Sequence, residues 1–257
     1  MKAFLMQIKG CHRIMTIIER TIIEMIIIER RYAALQFRHE VKHEISSHDM
    51  LILRQRLRAV MKPDAHAVNG QYLIRSLYFD NFDDKALREK LDGIRTREKY
   101  RIRLYNHDTS MIRLERKFKH CGLGYKNSAV LTKDQAQNIA DGKIDWMTEQ
   151  DNEVIRTFYS RIREEGLRPK VIVDYIREPF FFAPGNVRVT LDSNIRTGLS
   201  CTDFLDPDCI TVPIQDSPCI MEVKWDNYLP DVIRDIIQLE GRRSAAFSKY
   251  AASRMYD

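Results

Sequence analysis

Residues Arg97 to Tyr105 read REKYRIRLY, and residues Met111 to Lys119 read MIRLERKFK. In both segments charged and apolar side chains alternate with the two-residue period of a β-strand. The turn-forming residues Asn106-His107-Asp108 lie between the two segments, so they are expected to form an antiparallel hairpin. One face of this hairpin carries mainly Arg and Lys, and the opposite face is apolar.

Similar patterns occur along most of the chain. Six further segments have strand character, at residues 37–45, 72–80, 125–131, 170–176, 187–191 and 219–226. Helices are expected at 49–61, 83–91, 133–140, 152–165 and 231–239, with a last helical stretch that contains residues 247–250. No internal repeat and no low-complexity linker interrupts this order, which favours a single domain.

The charged strand faces must point either to solvent or to the interior of the curved sheet. They are dominated by Arg and Lys with isolated Glu, which is not the mixed polar surface of a solvated sheet. The apolar faces must be covered, and the helices can cover them from outside, so the charged faces point inward. We therefore predict an α+β fold: an eight-stranded antiparallel β-tunnel (barrel) with a charged interior and helices packed outside. Such an interior requires an anion and a metal ion, because unpaired buried charge is costly.

The distribution of charge limits the class of partner. The chain has a formal net charge of +6. Between Arg95 and Lys126 there are ten Lys and Arg against three Asp and Glu. The surplus is therefore concentrated in one stretch, which indicates an anionic partner of limited size and argues against a nucleic acid, which usually needs a basic outer face.

Five cysteines without a Cys-x-x-Cys pair argue against a disulfide framework and a structural zinc site. A reducing, cytoplasmic setting is expected. No uncharged apolar run reaches the length of a membrane-spanning helix.

Residues 1–31 are predicted to form an N-terminal helical extension, separate from a domain at 32–257. Isoleucines recur there near helical spacing, with acidic residues between them, so the segment is not a secretory signal. It could dock on a membrane-protein partner. The simpler interpretations, which we favour, are a packing helix or an upstream extension with the natural start at Met15 or Met25.

Short charged motifs in a fixed order resemble a known family. They are Arg38-x-Glu40-x-Lys42, Ser76-Leu77-Tyr78-Phe79-Asp80, Lys99-x-Arg101-x-Arg103 with Tyr105, Glu115-x-Lys117, Lys126, Tyr175-x-Arg177, Arg188-x-Thr190-x-Asp192 with Arg196, Glu222-x-Lys224 and Ser248-Lys249. The ordered set resembles the VTC domain, the polyphosphate polymerase branch of the triphosphate tunnel metalloenzymes, which are related to the CYTH proteins. The resemblance covers Arg38 to Lys249.

This resemblance implies a metal-dependent polyphosphate polymerase that transfers the terminal phosphoryl group of ATP to a growing polyphosphate chain. The residues expected to act directly on the phosphates are Lys42, Arg101, Arg103, Lys117, Arg177 and Lys249. Further phosphate contacts are expected from Arg38, Lys99, Lys126, Arg196, Lys224, Ser248 and Tyr175. The metal ion, Mn²⁺ or Mg²⁺, is expected on Glu222 first, with Glu40 and Glu115 as further candidates. Glu115 could equally orient a neighbouring cation.

One position departs from the hydrolytic relatives, which open with Glu-x-Glu-x-Lys. Here the first of those residues is Arg38, and an additional cation favours a longer polyanion. A triphosphatase of the same fold and a non-catalytic polyphosphate-binding module are the alternatives. No Walker or Gly-x-Gly-x-x-Gly motif is present, so a nucleotide would be held through its phosphates.

Overall fold

The computed structural model describes residues 38–121, 123–214, 218–239, 241, 244 and 246–255, and the predicted helical extension at 1–31 lies outside them. This part of the chain forms ten strands and six α-helices. The strands are β1 His39–Ile45, β2 Lys62–Pro63, β3 Tyr72–Asp80, β4 Thr96–Tyr105, β5 Asp108–His120, β6 Leu123–Leu131, β7 Arg168–Phe182, β8 Val187–Thr197, β9 Val212–Pro213 and β10 Cys219–Trp225. The helices are α1 Ser47–Val60, α2 Lys85–Leu91, α3 Lys133–Ala140, α4 Glu153–Glu165, α5 Asp231–Ile236 and α6 Lys249–Ser253.

Local sequence signals set several boundaries. Helix α1 begins at a capping box, in which the Ser46 hydroxyl accepts from the Asp49 amide and the Asp49 carboxylate accepts from the Ser46 amide. Helix α4 ends at Gly166, whose φ of 69° is left-handed and favours glycine. The β4–β5 hairpin turns at Asn106 and His107, which both have positive φ, as the tight hairpin turn requires.

The sheet is antiparallel, as predicted, and its strand order is β1-β10-β8-β7-β3-β4-β5-β6, with β2 on β7 and β9 on β8. Two predictions need correction, because the part of the chain that the structure describes forms ten strands instead of eight, and the sheet of these strands does not close. The additional strands, β2 and β9, have two residues each, too few to show a period. In the described residues the two edge strands approach at one isolated bridge, Arg38 to Gly124, instead of a continuous ladder. The sheet nevertheless curls, since Lys117 on β5 reaches Glu40 on β1 at 2.8 Å.

Helices cover the outer face of the curled sheet. One core lies under α3 and α4, around Phe158 and Tyr100, and a second lies under α1 and α5, around Leu53 and Leu57. The third core lies on the inner face, where Tyr250 of α6 stacks on a strand tyrosine. The inner face is therefore apolar at this end and charged over the remainder. No helix of the described part of the chain is long and apolar enough to cross a membrane.

Candidate functional site

Strand alternation places twelve charged side chains together on the inner face, and helix α6 adds Lys249. The cations are Lys42, Lys99, Arg101, Arg103, Lys117, Lys126, Arg177, Lys224 and Lys249, which we call the cation cluster. The carboxylates are Glu40, Glu115, Asp192 and Glu222. Nine cations against four carboxylates leave a formal surplus of five positive charges. The structure thus brings together most of the residues that the sequence pointed to.

Glu222 and Glu40 form the centre of one ion-pair network. They lie on adjacent strands, where Glu222 is opposite Lys42 and Glu40 is opposite Lys224. The ammonium of Lys42 lies 3.2 Å from Glu40 and 3.4 Å from Glu222. The ammonium of Lys224 lies 3.3 Å from Glu222 and 4.0 Å from Glu40. Two lysines therefore bridge two carboxylates on one face of the β1–β10 pair.

Both carboxylates are ionised in this setting. Burial would raise the pKa of Glu222, but Lys224, Lys42 and Arg177 outweigh burial and hold the pKa well below its usual value. Burial and the negative charge of Glu222 would raise the pKa of Glu40, and the neighbouring lysines lower it overall. Burial would lower the pKa of Lys42, but the two carboxylates raise it.

Asp192 organises a second group of cations. Its side chain is fully buried and accepts two hydrogen bonds from the Arg177 guanidinium, both at 2.7 Å. It also accepts from the Lys249 ammonium at 2.6 Å. Burial would raise the pKa of Asp192, and Arg177 and Lys249 lower it to about 2. Because Arg177 also lies 3.3 Å from Glu222, the two groups form one network.

Glu115 fixes the arginines of the hairpin. Its buried carboxylate lies 2.6 Å from Arg101, 3.8 Å from Arg103 and 3.0 Å from Lys126. The Arg103 guanidinium also donates to the Tyr175 hydroxyl at 2.8 Å. With three cations around it, Glu115 matches the orienting role more closely than the metal-ligand role.

Lys99 and Lys117 carry charge that the carboxylates do not fully compensate. Lys99 lies over the Tyr78 ring, with its ammonium 5.6 Å from the ring centre, and no carboxylate of the described residues lies within ion-pair distance of it. Burial, together with Lys117 and Lys42, lowers the pKa of Lys99 to about 7. Burial lowers the pKa of Lys117 to about 8, although Glu40 opposes this shift.

Three predicted phosphate contacts are placed differently. The Arg38 guanidinium donates to Asp226 at 2.7 Å and to the Asn186 carbonyl. Arg196 is not brought to the cation cluster, since it pairs in register with Asp174 and its guanidinium bonds to Thr211. The Ser248 hydroxyl is the N-cap of α6 and accepts from the Ala251 amide at 3.3 Å.

The sequence reasoning did not assign roles to two residues that the structure places at the site. Asp192 belongs to the Arg188-x-Thr190-x-Asp192 motif, and its position two residues after the inner-face Thr190 is the signal that could have identified it. Thr190 lies directly opposite Glu222 and is 3% exposed. Within the described residues its hydroxyl has no hydrogen-bond partner, a costly arrangement unless a ligand completes it.

The donor set fits a hard divalent cation. Glu40 and Glu222 offer ionised carboxylate oxygens on one face, and Mg²⁺ is commonly held by one or two carboxylates together with substrate phosphates. In the described residues no group of three His, Cys, Asp or Glu could hold a metal by protein ligands alone. The fit is therefore to a metal ion shared between these carboxylates and a phosphate ligand.

The inner face combines a surplus of Lys and Arg with a pair of carboxylates, which is the chemistry expected of a site for phosphate-rich anions. The family model of the VTC domain matches residues 37–256, and the chain belongs to this family. Membership supports a triphosphate tunnel fold and suggests a metal-dependent phosphotransferase or triphosphatase that acts on triphosphates such as ATP. No curated protein matches the chain.

Solved structures show more distant similarity. A presumed adenylate cyclase from Bacillus halodurans is 15% identical over 73% of this chain and 81% of its own, with a TM-score of 0.43. A protein from Pyrococcus horikoshii OT3 is 12% identical over 77% of this chain and 84% of its own, with a TM-score of 0.38. The family assignment rests on the VTC match.

Proposed function

We propose that this protein is a metal-dependent polyphosphate polymerase, which transfers the terminal phosphoryl group of ATP to a polyphosphate chain on the inner face. The observation that carries the proposal is the positive surplus of the cation cluster. The lowered pKa values of Lys99 and Lys117 express the same surplus, because a buried ammonium loses its proton when its surroundings supply too little negative charge. A bound polyanion supplies that charge.

The cations are arranged to hold several phosphates in a row. Arg101 and Arg103 lie two residues apart on β4, and Lys117 is on β5 beside them, opposite Lys99. Guanidinium groups bind phosphate oxygens through two parallel hydrogen bonds, and lysines act as point charges. Such an arrangement positions the phosphates in line and stabilises the charge of the transition state, which are the main requirements of phosphoryl transfer.

Glu222 and Glu40 are the residues that would hold the metal ion. When bound, the ion would supply positive charge that neutralises charge on the phosphates. Lys42 and Lys224, which bridge the two carboxylates in the structure, would then be free to contact phosphate instead. Asp192 keeps Arg177 and Lys249 directed toward the same area, and the Thr190 hydroxyl is available to donate to a phosphate oxygen.

A triphosphatase is the second candidate. The argument against it from sequence was the positive charge of Arg38 in place of a carboxylate. In the structure Asp226 pairs with that charge, so Arg38 adds less positive potential to the inner face than the sequence suggested. The choice of polymerase over triphosphatase therefore depends more on the positive surplus of the cation cluster than on Arg38.

The test is incubation of the full chain with ATP and Mn²⁺ or Mg²⁺, followed by phosphorus NMR and a gel for long-chain polyphosphate. ADP and long-chain polyphosphate, with little orthophosphate, would support the polymerase. Orthophosphate as the main product would establish the triphosphatase. Tight tripolyphosphate binding without turnover of ATP would favour the non-catalytic module. The cytoplasmic location and a membrane-protein partner for residues 1–31 remain predictions.

A further inference from the structure

A pair of cysteines lies on the loop between β8 and β9, apart from the cation cluster. The sulfurs of Cys201 and Cys209 are 2.9 Å apart, and both side chains are partly buried against the outer core. A disulfide bond is about 2.05 Å long, so the two sulfurs need to approach by roughly 0.9 Å to form one. Cys201 and Cys209 are free thiols in the structure.

The loop is fixed around both cysteines. Phe204 is buried in the outer core, and the Asp206 carbonyl accepts from the buried Arg75 guanidinium. On one side, the Cys201 amide donates to the Gly198 carbonyl at 2.9 Å. On the other, the Cys209 amide donates to Asp206 at 3.3 Å. The backbone therefore holds the two thiols in proximity, and the entropy cost of bringing them together is already met by the fold.

We propose that Cys201 and Cys209 are a modification site, at which a low-molecular-weight disulfide such as oxidised glutathione closes an intramolecular disulfide bond. One protein thiolate attacks a glutathione sulfur, so that a mixed disulfide forms and one glutathione thiol leaves. The second cysteine then attacks the protein sulfur of the mixed disulfide and displaces the second glutathione thiol. The two cysteines lose two electrons and two protons, and the oxidised glutathione gains them.

The disulfide bond would stabilise the loop that contacts the outer side of strand β7. Arg75 connects the loop to Asp174 of β7, at 2.9 Å, and Asp174 directly precedes Tyr175, the partner of Arg103. Closure would restrict the loop in the unfolded chain and stabilise the folded protein. Burial and the adjacent Cys201 thiol raise the pKa of Cys209 to about 12, so closure should be slow near neutral pH and faster near pH 8.5.

The experiment is refolding of the full chain in oxidising and in reducing glutathione buffers, alkylation of the remaining thiols, and digestion with a protease that cleaves before aspartate. Cleavage before Asp203, Asp206 and Asp208 separates the two cysteines, so their peptides stay together only through a disulfide. We expect the linked peptides after oxidation and not after reduction. Two alkylated peptides after refolding in the oxidising buffer would overturn the proposal, because refolding removes any kinetic barrier to closure.

Controls separate this pair from the other thiols. The Cys11→Ser, Cys121→Ser, Cys219→Ser triple variant should form the linked peptides as the unmodified chain does, and Cys201→Ser should not. The oxidised chain should also melt about 5 °C above the reduced chain, as expected for closing a short loop in a protein of this size. An unchanged or lower melting temperature would overturn the expected stabilisation of the folded protein by this bond, while the linked peptides decide whether the bond forms.

Discussion

Substitution of Lys99 by Met tests whether the inner face has too little negative charge until an anion binds. Met has a similar length and removes the ammonium that lies over Tyr78. Burial alone would raise the pKa of Tyr78. The positive charges of Arg101 and Lys99 outweigh burial and lower this pKa to about 7. Because Lys99 and Tyr78 stabilise each other's charge, we treat them as a pair that loses one proton near pH 7.

The expected magnitude follows from proton linkage. If the anion binds only the protonated pair, the affinity is proportional to the fraction of the free protein in which the pair is protonated. For a pKa of about 7, that fraction falls by about 8-fold between pH 6.5 and 8.0. Lys117, with a pKa of about 8, adds about 2-fold. The unmodified chain should therefore bind about 16-fold more weakly at pH 8.0, and Lys99→Met only about 2-fold more weakly.

The assay is calorimetric titration with trimetaphosphate, whose charge is constant over this range, at one ionic strength. Titration in two buffers of different ionisation enthalpy gives the protons taken up on binding. Lys143→Met is a matched control, because Lys143 is exposed and paired with Asp141 outside the site. If the affinity of Lys99→Met still falls about 16-fold between pH 6.5 and 8.0, the proton taken up on binding is not on Lys99. Binding of the unmodified chain that does not change with pH would refute the reasoning as a whole.

Four further outcomes are expected. Glu222→Gln should reduce turnover by at least 100-fold while tripolyphosphate still binds, because a metal ligand is lost and the cations remain; near-normal activity with Mn²⁺ would remove this residue from the site. Asp192→Asn should lower the melting temperature by about 10 °C, since two partly buried cations lose their fully buried counter-charge, and tripolyphosphate should restore part of the loss, measured by calorimetry. Thr190→Val should preserve the fold and weaken tripolyphosphate binding by about 5- to 10-fold, whereas unchanged affinity would leave its hydroxyl without a role. Arg38→Glu should shift product from polyphosphate toward orthophosphate in phosphorus NMR, but only slightly, because the new carboxylate faces Asp226.

Strand alternation made the hairpin and the charged inner face predictable. Strand β3 was predicted at 72–80 and is Tyr72–Asp80, and helix α3 was predicted at 133–140 and is Lys133–Ala140. Both have strong local signals: a segment rich in aromatic and branched residues in β3, and a capping box at Thr132 in α3. Strand β7 extends to Phe182, six residues beyond its predicted end, because pairing with β8 continues where the sequence pattern weakens.

The register between distant strands could not be obtained from sequence. It decides that Lys42 and Lys224 bridge Glu40 and Glu222, and that Asp192 accepts from Lys249, 57 residues away. Arg196 illustrates the limit, since an irregular register in the β7–β8 pairing precedes the position where it lies opposite Asp174. A shift of one residue moves a side chain to the other face of a sheet, and local sequence does not report it.

The sequence by itself determined the strand and helix types, the alternation that separates a charged face from an apolar one, and the positive surplus on that face. These properties depend on neighbours two to four residues apart, which the chain order fixes. Within the described ranges, the tertiary structure decided that the sheet curls without closing, that α6 covers one end of the inner face, and which cations lie beyond ion-pair distance of a carboxylate. Those outcomes depend on contacts between residues far apart in sequence, such as Lys117 with Glu40, and on burial, which raises or lowers a pKa only once the fold has formed.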